Sequence, residues 1–279
     1  MFGVKNKISA FLSDKGKIAV WGAGGLGKTS LKYYLDISKL EYLIDKTRHG
    51  EDEAGFQIKS PDEADLSGID TLIICSAAHP QIRAAAKAKG FEGQIYYIYE
   101  LIAEIYKDSD NDFDYLLLDI IAVKNSNIFR LLVDKPQIFV NITFRTANFF
   151  KKYWFLLPVY WVLYLIHAIM CLWTGVQLPL GTKIGPGFGI AHYGTIVFSA
   201  RAKIGSFFTI YHGCTVGTNF TGKAPVIGDF VTQYAGSHIL GDSHIADYCT
   251  IGANSVVLDL DSEAGDTIVG SPARIIRKA

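Results

Sequence analysis

The stretch LPLGTKIGPGFGIAHYGTIVFSARAKIGSFFTIYHGCTVG, residues 178–217, carries aliphatic side chains at a step of six. Leu178, Ile184, Ile190 and Ile196 keep that step, and Ile204, Ile210 and Val216 resume it. Ile227, Ile239, Ile245 and Ile251 continue it, with Gln233 in the one off-type slot. The residue after the anchor is often small, as at Gly185, Ala191, Gly205, Gly228, Ala246 and Gly252. A period of six excludes an α-helix, whose apolar positions recur at about 3.6. It fits a parallel β-helix, in which each hexapeptide is one short strand plus a turn and three complete a triangular coil. The anchor then points inward and stacks on its counterpart one coil away, while the small neighbour permits a tight corner. Breaks in phase between Ile196 and Ile204, and between Val216 and Ile227, predict longer loops projecting from the coil.

Working outward, the 279 residues fall into three expected zones: 1–106, a linker with an apolar helical segment over 107–175, and the coil over 176–279. In the first zone KIAVWG (17–22), EYLID (41–45), TLIICS (71–76) and QIYYIY (94–99) read as strands. SLKYYL and PQIRAAAKAKG between them read as helices, the second ended by Gly90. Strands alternating with helices imply βα units and a parallel sheet, here an α/β Rossmann-like domain. The turn Trp21-Gly22-Ala23-Gly24-Gly25-Leu26-Gly27-Lys28-Thr29 satisfies both GxGxxG and GxxxxGK[ST]. Asp45 follows Gly27 at a spacing near that of a ribose-binding acid, and TLIICS ends in Ser76 rather than a metal-binding Asp, so the dinucleotide-type turn is favoured over a P-loop. Gly22, Gly24, Gly27 and Asp45 are thus candidates for a nucleotide or sugar-nucleotide, against a domain kept for assembly without a ligand.

Charge and cysteine content narrow the classes. With 27 basic and 27 acidic residues the chain lacks the cationic surplus of a nucleic-acid binder. Cys75, Cys171, Cys214 and Cys249 are far apart and form no CxxC pair, so neither a disulfide scaffold nor a zinc ribbon is expected. The opening MFGVKNKISAFLSDKGK has no long apolar run, so no cleaved signal peptide is expected and the cytoplasm is the default location. From Tyr153 to Trp173 there is no Asp, Glu, Lys or Arg, and Pro158 divides the run. Three readings stand: peripheral contact with the inner face of the cytoplasmic membrane, a helix packed within an oligomer, or a true span.

The residues quoted from 178 onward, with APVIGDF (224–230), IGANSVV (251–257) and VGSPARIIRK (269–278), resemble hexapeptide-repeat acyltransferases. Within these the chain is similar to the serine acetyltransferases, and more so to acetyltransferases of bacterial surface-polysaccharide clusters. The resemblance implies a left-handed coil, a homotrimer, and acetyl-CoA as co-substrate in the groove between neighbouring coils, with no metal or redox cofactor. It implies a histidine as general base, and the family's spacing of nine residues from Lys183 places that base at His192. Imidazole is suited to take a proton from an attacking hydroxyl near neutral pH. His212, twenty residues on, is expected one coil above as a substrate-binding or oxyanion group, with base as its rival role. Ala235, Gly236 and Ala253 fall where small side chains admit the pantetheine arm, and Arg274, Arg277 and Lys278 are candidates for the phosphates.

The sequence departs from the serine enzymes at Ala191, where they have Asp before the histidine, and at Gln177, where their orienting Asp falls. Lys223-Ala224-Pro225 stands at their Arg-His-Pro, and their helical N-terminal domain is expected to be absent. An amino acid needs charged partners, so these departures argue against L-serine as acceptor. The expectation is O-acetylation of a sugar hydroxyl or glycan in capsule, O-antigen or exopolysaccharide synthesis. The alternatives are N-acetylation of a nucleotide-linked amino sugar, serine O-acetylation, and a non-catalytic trimeric scaffold. The N-terminal zone resembles small domains attached to acetyltransferases of nucleotide-linked amino sugars, in which the glycine turn binds the nucleotide-sugar.

Overall fold

A computed structural model describes residues 2–52, 55–76, 78–107, 109, 111–122 and 135–276. These form two compact units, Met1–Asp108 and Ser109–Ala279. In the first unit, helix α1 (Phe2–Phe11) precedes β1 (Ile18–Trp21), α2 (Gly25–Tyr33) and β2 (Leu40–Ile44). Two short strands missed by the sequence reading follow, β3 (Gly50–Glu51) and β4 (Gln57–Lys59). Then come β5 (Thr71–Ile74), α3 (His79–Ala88), β6 (Gln94–Tyr97) and α4 (Ile98–Tyr106). The sheet order is β3-β4-β2-β1-β5-β6, parallel throughout except for β3 against β4. The central strands β1 and β5 are buried on both faces, which is why they read as unbroken apolar runs. Only two or three residues of β3 and β4 pair, too few to leave an alternating pattern in the sequence.

Among the described residues the second unit opens with three helices: α5 (Asp112–Ala122), α6 (Ile138–Lys151) and α7 (Leu157–Thr174). Pro158 does not break the apolar run. It sits in the first turn of α7, where a missing N–H costs nothing, and a short 3₁₀ turn over Trp154–Leu156 leads into it. Gly175, at φ +68°, ends α7 and passes the chain directly to Val176, the first strand residue of the coil.

From Val176 short strands, parallel except for the last pair, stack into three sheets of five, four and six members, the faces of a triangular parallel β-helix. Three inward columns run along it. One holds Ile184, Ile204, Ile227 and Ile245; another holds Ile190, Ile210, Gln233, Ile251 and Ile268. In the third, Val216 lies opposite Phe198, and Ile196 lies opposite Val176. The break in phase after Ile196 was expected to project as a longer loop, and this is corrected by the two-residue pleat of a strand. The extra residues of that coil extend the strand Ile196–Phe198, so both ends of it point inward. Small residues at one corner are demanded by the coil above: a Cβ on Gly185 would lie 2.7 Å from the backbone of Gly205, and one on Gly205 2.6 Å from that of Gly228.

A buried polar network joins the helices to the first coil. Asp119, fully buried, accepts from Arg145 Nε at 2.9 Å and Nη2 at 3.1 Å, from Asn141 Nδ2 at 3.2 Å, and from the Phe188 N–H at 2.8 Å. Arg145 also donates to the carbonyls of Ile184 at 2.8 Å and Gly185 at 2.6 Å, and Asn141 to that of Phe188 at 2.8 Å. The Ile184, Gly185 and Phe188 carbonyls all belong to the first coil, so α5 and α6 close it where no preceding coil exists. The described helices α5 and α6 are thus packed on the coil. Because removing one partner leaves a buried charge uncompensated, Asp119→Ala and Arg145→Ala should each lower unfolding free energy by about 3–5 kcal/mol, read from urea denaturation.

Candidate active site

The third corner of the coil collects both expected catalytic histidines and the small residues expected to admit the pantetheine arm. Ile190, Ile210, Gln233 and Ile251 are register partners in successive coils, and two residues beyond each come His192, His212, Ala235 and Ala253. The ladder continues round this corner: the Gly213 N–H donates to the Gly194 carbonyl at 2.9 Å, Gly236 to His212 at 3.0 Å, and Asn254 to Ala235 at 2.9 Å. Gly194, Gly213, Gly236 and Asn254 all have positive φ, which turns the chain there. Two imidazoles followed by two methyl groups thus line one edge.

The His192 and His212 rings lie 6.0 Å apart, edge to face, and both side chains are exposed. Tyr211 packs at 5.7 Å from His192 and stacks on Tyr234 at 5.1 Å, so an aromatic column borders the histidine edge. Among the described residues no carboxylate hydrogen-bonds either histidine. Gln177 is exposed on its strand in register with Val197, and no hydrogen bond joins it to His192.

The backbone entering the corner is held from outside the coil. Gln137, just before α6, donates through Nε2 to the carbonyls of Ile190 at 3.1 Å and Ala191 at 3.3 Å, and Lys135 Nζ reaches the latter at 3.4 Å. The sequence reading missed these two residues and the Asp119 network. A faint signal was present in Asn141 and Arg145, polar residues four apart on one face of an otherwise apolar helix.

The remaining candidates are dispersed. Arg274 is exposed on the final strand Ala273–Ile276, antiparallel to Thr267–Gly270 and paired with Val269. Arg277 and Lys278 lie outside the described residues. His238 and His244 lie on strands; the His244 ring faces outward and contacts Asp261 at 2.9 Å. No group of three or more potential metal ligands occurs among the described residues.

In the first unit the glycine turn connects β1 to α2. Gly22 has φ +119°, and a Cβ on Gly27 would meet the Gly22 carbonyl at 1.8 Å, so the last glycine lets the helix approach the strand. A Cβ on Gly24 would meet nothing within 4 Å. Asp45 Oδ2 accepts from the Ala23 N–H at 2.8 Å, and Oδ1 accepts from the Thr47 N–H and hydroxyl and the Arg48 N–H. Desolvation works to raise the Asp45 carboxyl, but the Thr47, Ala23 and Arg48 donors together hold it below the usual carboxylate range. Asp45 therefore ties the turn to the loop after β2.

Residues 224–259 match the sequence profile of the family described as bacterial transferase hexapeptide (six repeats). Serine acetyltransferase of Helicobacter pylori strain 26695 is 36% identical over 155 residues, 54% of this chain and 88% of that protein. The chain belongs to the serine acetyltransferase family. It is a hexapeptide-repeat, acetyl-CoA-dependent acyltransferase with a left-handed β-helix. A serine acetyltransferase of Staphylococcus epidermidis strain RP62A is 39% identical over 119 residues, 41% of this chain and 54% of that one. Among solved structures, a serine acetyltransferase in complex with CoA aligns at TM-score 0.51 and 24% identity, over 64% of this chain and 77% of that one. The Neisseria gonorrhoeae serine acetyltransferase in complex with serine aligns at 0.52 and 22%, over 65% and 76%.

These findings overturn the expectation of a sugar hydroxyl as acceptor and with it the placing in capsule, O-antigen or exopolysaccharide synthesis: the relatives at 35–39% identity are serine acetyltransferases. The expectation rested on single positions such as Ala191 and Gln177. The match of 155 residues is longer than everything from Val176 to Ala279, so it also takes in residues before the coil.

Two outcomes follow from this geometry. Gly236→Ala forces a side chain into positive φ with its Cβ 2.3 Å from Asn254 Oδ1, and should cost about 1–3 kcal/mol by thermal denaturation. Asp45→Asn should lower the melting temperature at pH 7 and by less at pH 3. A carboxylate with a depressed folded pKa stabilises above its unfolded pKa, and that stabilisation is lost as pH falls.

Proposed function

We propose that the chain is a serine O-acetyltransferase, moving an acetyl group from acetyl-CoA to the L-serine hydroxyl. What carries this reading is the 36% identity that spans 88% of the Helicobacter pylori serine acetyltransferase. His192 is the base. As the serine oxygen attacks the thioester carbonyl, the imidazole takes the hydroxyl proton; collapse of the tetrahedral intermediate breaks the C–S bond, and the imidazolium protonates the leaving sulfur. His212, one coil above with its ring 6.0 Å from that of His192, is the proposed donor to the oxyanion or contact for the acceptor. The methyl-lined edge at Ala235 and Ala253, with Gly236, receives the pantetheine arm, and a neighbouring copy in a homotrimer supplies the opposite wall. Arg274 is the proposed contact for the CoA phosphates.

With Ala191 and Gln177 in place, no carboxylate among the described residues partners the imidazole, which bears on rate and not on the type of reaction. In the first unit, the strand order with β1 between β2 and β5, and the glycine turn between β1 and α2, support a Rossmann-like reading.

The test is thiol release from acetyl-CoA. Turnover is expected with L-serine; release with sugars but none with serine overturns the proposal. His192→Ala should lower kcat at least about 100-fold with little change in the KM for acetyl-CoA. An active His192→Ala beside an inactive His212→Ala would exchange the two roles. Ala253→Trp, at an exposed position, should raise the KM for acetyl-CoA while leaving the melting temperature unchanged.

A further inference from the structure

The least satisfied surface of the molecule is α7. From Trp154 to Thr174 its mean hydropathy is 2.1, and only 6% of the most apolar window is buried. One narrow stripe faces the coil: Tyr160, Leu163, His167, Met170, Cys171 and Thr174. The rest of the circumference is apolar and exposed, including Trp161 at 61%, Leu165 at 62% and Leu172 at 84%. A helix apolar on nearly every side requires protein or lipid around it.

Charge indicates which of the two. From Lys135 to Gly228 the chain contains no Asp or Glu but eight Lys and Arg, although the whole protein is neutral. Lys151, Lys152 and Lys183 line one cleft beside the start of the apolar helix, where Asp112, paired with Lys152 at 2.7 Å, is the acid. Lys203 stands in register with Lys183 on the next coil. Trp154, Trp161, Trp173, Tyr153 and Tyr164 add rings with an apolar body and a polar edge, the type that settles at the level of lipid headgroups. A second copy of the chain would bring the same cationic stretch against itself; an anionic bilayer complements it.

The helix cannot cross while docked as it is. His167 is buried, with Nδ1 at 2.8 Å from the Thr143 hydroxyl and Nε2 at 2.7 Å from the Leu178 carbonyl, which pins the middle of α7 to α6 and the coil. Arg145 fixes the chain before it, and Gly175 alone separates its end from Val176. Both ends belong to one side.

We infer that α7 docks this enzyme peripherally on an anionic lipid surface, its exposed apolar face lying in the headgroup–acyl boundary and Lys151, Lys152 and Lys183 on the acidic headgroups.

The test is co-sedimentation of the full chain with vesicles of equal parts phosphatidylglycerol and phosphatidylcholine, and with phosphatidylcholine alone. The wild type should bind the anionic vesicles more tightly. Trp161→Glu with Leu165→Glu, both exposed, should weaken that binding at least about tenfold without changing the circular dichroism or the melting temperature. Lys151→Gln with Lys183→Gln should weaken it about tenfold for anionic vesicles and leave phosphatidylcholine binding unchanged. Wild-type protein that stays in solution with anionic vesicles overturns the inference, as does wild-type binding by the glutamate variant. Dissociation of an oligomer by that variant with vesicle binding intact assigns the face to a second copy instead. Resistance of bound protein to alkaline carbonate extraction overturns the peripheral placement in favour of a span.

Discussion

Each coil of the β-helix is held chiefly by its neighbours. A hexapeptide has two or three strand residues, far too few to stand alone, and its one inward side chain has nothing to pack on until the next coil supplies the same position. Stacking therefore imposes a strict register: the column of Ile184, Ile204, Ile227 and Ile245 survives insertions between coils because extra residues are expelled into loops or taken up in pairs along a strand. The same register carries corner residues into line. His192 and His212 are neighbours because Ile190 and Ile210 are, and the alanines above them follow for the same reason.

A stack of this kind has an open first edge, and the helices before it answer that problem. Asp119, Asn141 and Arg145 meet the carbonyls and N–H that the first coil would otherwise leave unpaired, in a setting where an unmet buried group is costly. Gln137 does the same for the strand that ends at the histidine corner. The closure of the coil and the placement of its first histidine corner are thus one structural device.

The apolar surface of α7 contrasts with both. It is bound to the coil by a stripe of side chains with His167 at its centre, yet most of its apolar area remains outside any core. A soluble partner-free helix would place charge on that face; here the charge is displaced to the ends and is of one sign.

The β-helix was legible from residues alone because a period of six has one structural meaning and recurs often enough to exclude chance. The βα alternation of the first unit was legible for a similar reason, since buried parallel strands must be continuously apolar. The acceptor was not: single positions such as Ala191 and Gln177 were weighed against L-serine, whereas likeness over 155 residues together decides the family. Nor could any spacing rule announce Phe198 opposite Val216, Pro158 inside a helix, or Asp119 beneath Phe188. Local pattern determines which side chains must face inward, because that depends only on the pleat and the repeat. Which distant groups then meet depends on how insertions are absorbed and how the chain folds back, and only the packed structure decides that.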